Sequence, residues 1–172
     1  MRDEGMRSRA CLAGILLALH GLAVAADFTI EDQGLTTLPQ EAENAIRART
    51  GSEFTRCRIV GKTVDLNGKG PQSGYAATTA DACGWGASVG PVWVLVIAEN
   101  DPRVVLSDRS YSLTVGKQQG MRNLATAAGT SAWYRETLWK YDGKVYRPVR
   151  SYNFTPDDKA TCRAHPKVCP FK

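Results

Sequence analysis

The chain has 172 residues, 22 lysines and arginines against 17 aspartates and glutamates, and a formal net charge of +5. That length suits one folded domain, and so modest a charge excludes the dense cationic composition of a dedicated nucleic-acid binder. The longest apolar run beyond the N-terminal segment is Val92 to Ala98, far short of a membrane span.

The N-terminal segment reads as an export signal. "MRDEGMRSRA" carries Arg2, Arg7 and Arg9, "CLAGILLALHGLAVA" is apolar, and small residues close it at Ala23-Val24-Ala25-Ala26. Basic, apolar, small-x-small is the order of a secretory signal. It predicts removal of residues 1–25 and a single exported domain over 26–172, in the periplasm or secreted. Cys11 stands at the start of the apolar run and not after it, so it is not the lipidated cysteine of a lipoprotein. Removal takes away three basic and two acidic residues and leaves the mature chain at +4. Four cysteines remain: Cys57, Cys83, Cys162 and Cys169. An even number in an oxidising compartment predicts two disulfides. Of the three pairings, the short separations favour Cys57–Cys83 and Cys162–Cys169, for which loop closure predicts about 3.5 and about 2.5 kcal/mol.

The mature chain opens with an extended piece, "DFTIED". A helix follows, with Thr37 as its expected cap, Pro39 near its first position, Glu41 and Glu43 at the positive end of its dipole, and Gly51 as its stop. Leu38, Ala42, Ala45, Ile46 and Arg49 share one face at helical spacing. From Arg56 the pattern changes to strands. "RCRIVGKTVDL" alternates, Asn67-Gly68 predicts a tight turn, and "SGYAATTADAC" returns beside it. Residues 83–90 are too rich in glycine for a regular strand. "PVWVLVIA" is apolar on both faces and predicts a central strand. "RVVLSD", "SYSLTVG" and "MRNLATAA" are further strand candidates, and "SAWYRETLWKY", Asp142-Gly143 and "KVYRPV" form the clearest hairpin. "FTPDDKA" starts a short terminal helix, with Thr155 as cap and Pro156 at the first position. The predicted class is α+β: an antiparallel meandering sheet with one N-terminal helix and a short C-terminal helix.

"TCRAHPKVC" sets two cysteines about a histidine. A disulfide staple is the expected reading, because a C-x2-H-x3-C metal site needs reduced thiolates and a fourth ligand. No cofactor and no metal is expected. His165 is the one histidine outside the signal, so any nucleophile-and-base arrangement has a single base available. Asp81, Glu99, Asp101 and Asp108 flank strands and are the carboxylates a hydrolase would draw on. "LNGKGPQSG" lacks the spacing of a phosphate loop, since Lys69 is followed by Gly70.

Trp85, in the loop "CGWGASVGP", is either a plug beneath that loop or an aromatic displayed for a ligand. In the hairpin, a two-residue turn would pair Trp139 with Tyr146, Lys140 with Val145 and Leu138 with Arg147. Trp139, Tyr141 and Tyr146 then share one face, and Leu138, Lys140, Val145, Arg147 and Val149 the other, continuing into Arg150. The candidate binding residues are Trp85, Arg147, Lys140 and Arg150, facing a protein partner in the envelope or an anionic cell-wall polymer. No nucleic acid is expected, and once cleaved the protein is not expected to be integral to a membrane.

The stretches "CGWGASVGPVWVLVIAENDPRVVLS", "GMRNLATA" and "LWKYDGKVYRPV" resemble a group of small exported bacterial envelope proteins. That group has a glycine-rich cysteine segment, a central strand and a closing Y/F-D-G-x-x-Y hairpin. This chain carries Asn123 where an acid is common in the group. The resemblance spans residues 82–150 and implies an envelope location and a sheet domain, with no catalytic residues to carry over. A weaker likeness is to periplasmic lysozyme inhibitors and immunity proteins. The expected function is therefore a non-catalytic periplasmic or secreted binding protein, an inhibitor or immunity protein among its forms. The alternatives are an enzyme acting on cell-wall material and an envelope assembly factor.

Overall fold

A computed structural model describes residues 27–98 and 101–171. The expected export signal, Cys11 and Glu99 lie outside the described residues. Among the described residues, no helix is long and apolar enough to cross a membrane.

The strands are β1 (Phe28–Thr29), β2 (Thr36–Thr37), β3 (Ile59–Val64), β4 (Gly74–Thr79), β5 (Gly90–Ala98), β6 (Asp101–Ser110), β7 (Ser112–Val115), β8 (Leu124–Gly129), β9 (Tyr134–Tyr141) and β10 (Tyr146–Phe154). The helices are α1 (Gln40–Thr50) and α2 (Lys159–Ala164). The expected α+β class holds, with an antiparallel meander divided into two sheets. One has the order β2-β3-β4-β5-β6, the other β1-β7-β8-β9-β10. The chain crosses between them at Tyr111, whose N–H donates to Ala127 O (2.7 Å) and whose carbonyl accepts from Ile30 N (3.0 Å).

β5 explains the layering. Its alternating residues face opposite ways, and both sets are apolar. Val92 and Val94 join Phe28, Leu113 and Leu124 of the second sheet in one core. Trp93 and Leu95 join Ala42 and Ile46 of α1 in another. The molecule is thus a helix on a sheet on a sheet. Trp93 is fully buried and meets Phe54 edge to face at 5.2 Å.

Three local expectations are corrected. Thr37 does not cap α1: it lies in β2, paired with Val60 of β3, and Pro39 holds the cap position with no side-chain bond. α2 starts later than expected, because Asp158, not Thr155, caps it by accepting from Thr161 N. Asn67-Gly68 does not form a tight turn. β3 and β4 are joined by residues 65–73, where Asp65 and Asn67 accept backbone N–H groups from Gly68 and Lys69. Short polar side chains there bond their own backbone and so support a longer loop.

The β9–β10 hairpin also differs from its expected register. Tyr146 lies opposite Tyr141, and Arg147 opposite Lys140. The cause is Asp142, whose Oδ1 accepts from Lys144 N and Val145 N (2.8 Å each) while Oδ2 accepts from Arg147 Nε (3.0 Å). Those bonds hold four residues in the turn. A slip by two keeps the faces up to Pro148, so Trp139, Tyr141 and Tyr146 stay on one face and Lys140 and Arg147 on the other; a bulge at Val149 takes that residue out of the expected pairing and sets Arg150 opposite Leu138.

Candidate functional site

The C-terminal staple and its partner are both formed. Cys57 is bonded to Cys83 and Cys162 to Cys169, so the sulfurs of "TCRAHPKVC" are spent on each other. His165 lies against Tyr152, with ring centroids 4.8 Å apart.

The first disulfide braces a loop. On one side, Arg47 of α1 donates to the carbonyls of Phe54 and Cys57 (3.2 and 3.0 Å) and so holds the segment that carries Cys57. On the other side, Cys83 closes a turn by donating its N–H to Ala80 O (3.0 Å). The two central residues of that turn, Asp81 and Ala82, have φ of 55° and 54°. Positive φ at both positions is type I′ geometry, normally the province of Gly and Asn. A non-glycine residue in this region costs of order 1–2 kcal/mol, and the surroundings must hold it there. The disulfide and the Thr79 hydroxyl, which donates to Cys83 O, do so.

Trp85 follows directly. Its indole N–H donates to Thr79 Oγ1 (2.9 Å), and its ring lies over Gly90, where a Cβ would fall 2.9 Å from Nε1. Trp85 packs against the inter-sheet core while remaining partly exposed. It is both a plug beneath its loop and the wall of a cleft.

That cleft, about 730 Å³, opens between the disulfide-braced turn and the segment after β1. Trp85 and Tyr111 supply its aromatic surface, and Glu31, Asp32, Asp81 and Arg58 its charges. Tyr111, 37% exposed at the sheet crossing, donates its hydroxyl to Glu31 Oε2 (2.9 Å). The bond to Glu31, helped by burial, raises the Tyr111 phenol above its ordinary pKa. Asp32 accepts from Lys62 Nζ (2.6 Å) and from Thr29 N and Oγ1 (3.1 and 2.7 Å). Burial pushes its carboxyl up, but the bonds from Lys62 and Thr29 outweigh that and hold it below the usual carboxylate range. Arg58 reaches Asp81 at 3.2 Å with both side chains well exposed, a pair worth little in water.

The remaining candidates lie elsewhere. Lys140, Arg147 and Arg150 are exposed on one face of β9 and β10. Arg147 is held by Asp142, and Arg150 Nη1 donates to the Tyr152 hydroxyl (3.1 Å). On the other face, the Tyr141 and Tyr146 rings meet at a tilt with centroids 5.3 Å apart, Trp139 donates to Thr126 Oγ1 (2.9 Å), and buried Tyr146 donates to Arg122 O (2.7 Å). These aromatics are core. The structure does not bring Trp85 and Arg147 together. Trp85 sits at Gly90, which pairs with Ser110 at one end of β5–β6. The 142–145 turn lies at the other end, where Arg103 donates to the Tyr141 hydroxyl (3.2 Å).

Of the expected carboxylates among the described residues, only Asp81 lines the cleft. Asp108 is taken up between the sheets, accepting from Thr126 Oγ1 (2.7 Å). Glu31, Asp32, Arg58 and Tyr111 carry no local motif that marks them; only the crossing of the sheets assembles them. No protein family, curated protein or solved structure matches this chain.

Proposed function

We propose that this chain is an exported, non-catalytic binding protein that engages a protein partner of the cell envelope through the cleft walled by Trp85 and Tyr111. The observation that carries the reading is the turn at Asp81 and Ala82, held at positive φ by the Cys57–Cys83 bond directly beside an aromatic-walled cleft. Held strain of this kind clusters at ligand clamps. A braced wall loses little entropy on binding, and Trp and Tyr are the side chains in which interface energy concentrates. Two disulfides fit an oxidising compartment, in keeping with the N-terminal signal and with the resemblance to exported envelope proteins. Inhibition of an envelope enzyme, or immunity to a delivered one, is the biological form of this reading. Lys140, Arg147 and Arg150, at the far end, are not part of this site and serve as its control.

The test is affinity capture from an envelope extract with the mature protein, followed by mass spectrometry. Trp85→Ala and Tyr111→Ala should each lose a partner that the wild type and Lys140→Ala retain. Equal capture by all four proteins would sink the reading. Turnover of cell-wall material that disappears in Glu31→Gln would replace it with the enzyme alternative.

A further inference from the structure

We infer that the cleft is built to take an arginine side chain presented by the partner. The inference rests on the cleft being the binding site and adds what enters it. Three of the four charged side chains lining the cleft are carboxylates, in a chain whose net charge is +5. The three are not equivalent. Asp32 is spent on Lys62 and Thr29. Asp81 is reached only by Arg58, through a pair exposed at 61% and 80% that an incoming cation can exchange. Glu31 accepts the Tyr111 hydroxyl, and among the described residues no cation lies within ion-pair distance of it. The cleft therefore holds unneutralised negative charge beside two aromatic rings.

Each class of occupant meets that combination differently. An anionic group is repelled by Glu31 and Asp81. A neutral sugar gains from the rings but has no use for excess carboxylate. A cation gains from both, because the ring quadrupole attracts it and a carboxylate bonds to it with charge assistance. Arginine fits better than lysine, since its planar guanidinium stacks on an aromatic ring and still presents paired N–H groups to a carboxylate. The volume of about 730 Å³ lies in the range that encloses a whole ligand, enough for an arginine with its neighbours on a protruding loop.

The experiment is amide chemical-shift titration of the mature protein. The probes are a blocked pentapeptide containing arginine, its lysine and glutamate counterparts, and an N-acetylglucosamine tetramer. The arginine peptide should shift the amides of residues 29–35, 80–89 and 111, more strongly than the lysine peptide, while the other two do not. Glu31→Gln should weaken the arginine peptide about tenfold, as should raising the salt to half-molar, with the melting temperature of the variant unchanged. An equal response to the glutamate peptide or the sugar, or an affinity indifferent to Glu31→Gln, overturns the inference. Loss of partner capture in Trp85→Ala without any response to the arginine peptide also overturns it, and leaves the cleft as the binding site. If capture ignores both Trp85→Ala and Tyr111→Ala, the cleft reading fails and the inference falls with it.

Discussion

Removing the Cys57–Cys83 bond should cost both stability and binding. The two sulfurs are 26 residues apart in sequence. The loop-closure entropy released to the unfolded chain on cutting such a link corresponds to about 3.5 kcal/mol. The Cys57→Ala/Cys83→Ala double variant keeps the packing of small side chains and removes only the link. Without it, the 80–83 turn depends on Thr79 and on two backbone hydrogen bonds, from Cys83 N to Ala80 O and from Trp85 N to Ala82 O, to hold Asp81 and Ala82 at positive φ. The wall of the cleft should then relax, and partner binding should weaken by tenfold or more as ordering is deferred to the moment of association. Guanidinium unfolding followed by tryptophan fluorescence gives the first quantity, and the capture assay the second. Cys162→Ala/Cys169→Ala is the comparison. Its separation is 7 residues, for which the same model gives about 2.5 kcal/mol, and it ties α2 to the chain end, away from the cleft. It should destabilise less and bind normally. A loss below about 1 kcal/mol for the first pair, with binding intact, would refute the idea that this bond braces a working site.

Trp93→Ala should be the more damaging core change, costing about 3–5 kcal/mol, because the indole is 1% exposed and meets Phe54 edge to face; chemical denaturation measures it. Ala82→Gly should stabilise the fold by about 0.5–1 kcal/mol, since glycine accepts the φ of 54° without the steric penalty; a lowered melting temperature would contradict the turn geometry. The Asp142 carboxyl is held down to about 2, first by the backbone N–H groups of Val145 and Lys144 and then by Arg147. A carboxyl lowered by folding stabilises the fold above the ordinary pKa of about 3.9 and loses that contribution as pH falls through the folded value. The stability gap between wild type and Asp142→Asn should therefore be full at pH 6 and shrink between pH 4 and pH 2 in parallel melts. His165→Ala should leave partner capture unchanged, as the imidazole contacts Tyr152 and does not line the cleft.

What the sequence determined by itself is what neighbours along the chain decide. Alternation marks β3 and a continuous apolar run marks β5, glycine and the Asp142-Gly143 pair mark where strands stop, and the short separations among the four cysteines beyond the N-terminal segment point to the pairs that form. The grouping of Trp139, Tyr141 and Tyr146 on one face follows from a period of two and survives the change of register. Tertiary structure decided the rest. The turn length at Asp142 depends on which backbone N–H groups one carboxylate reaches, and composition cannot show that. The division of one meander into two stacked sheets depends on how β5 buries both its faces at once. The cleft needs Glu31, Asp81, Trp85 and Tyr111, which come from three separated stretches. They meet because the chain changes sheets at Tyr111 and because a disulfide holds the 80–83 turn against its preference. Local propensity acts over a few residues, whereas a site assembled across two sheets is selected by packing.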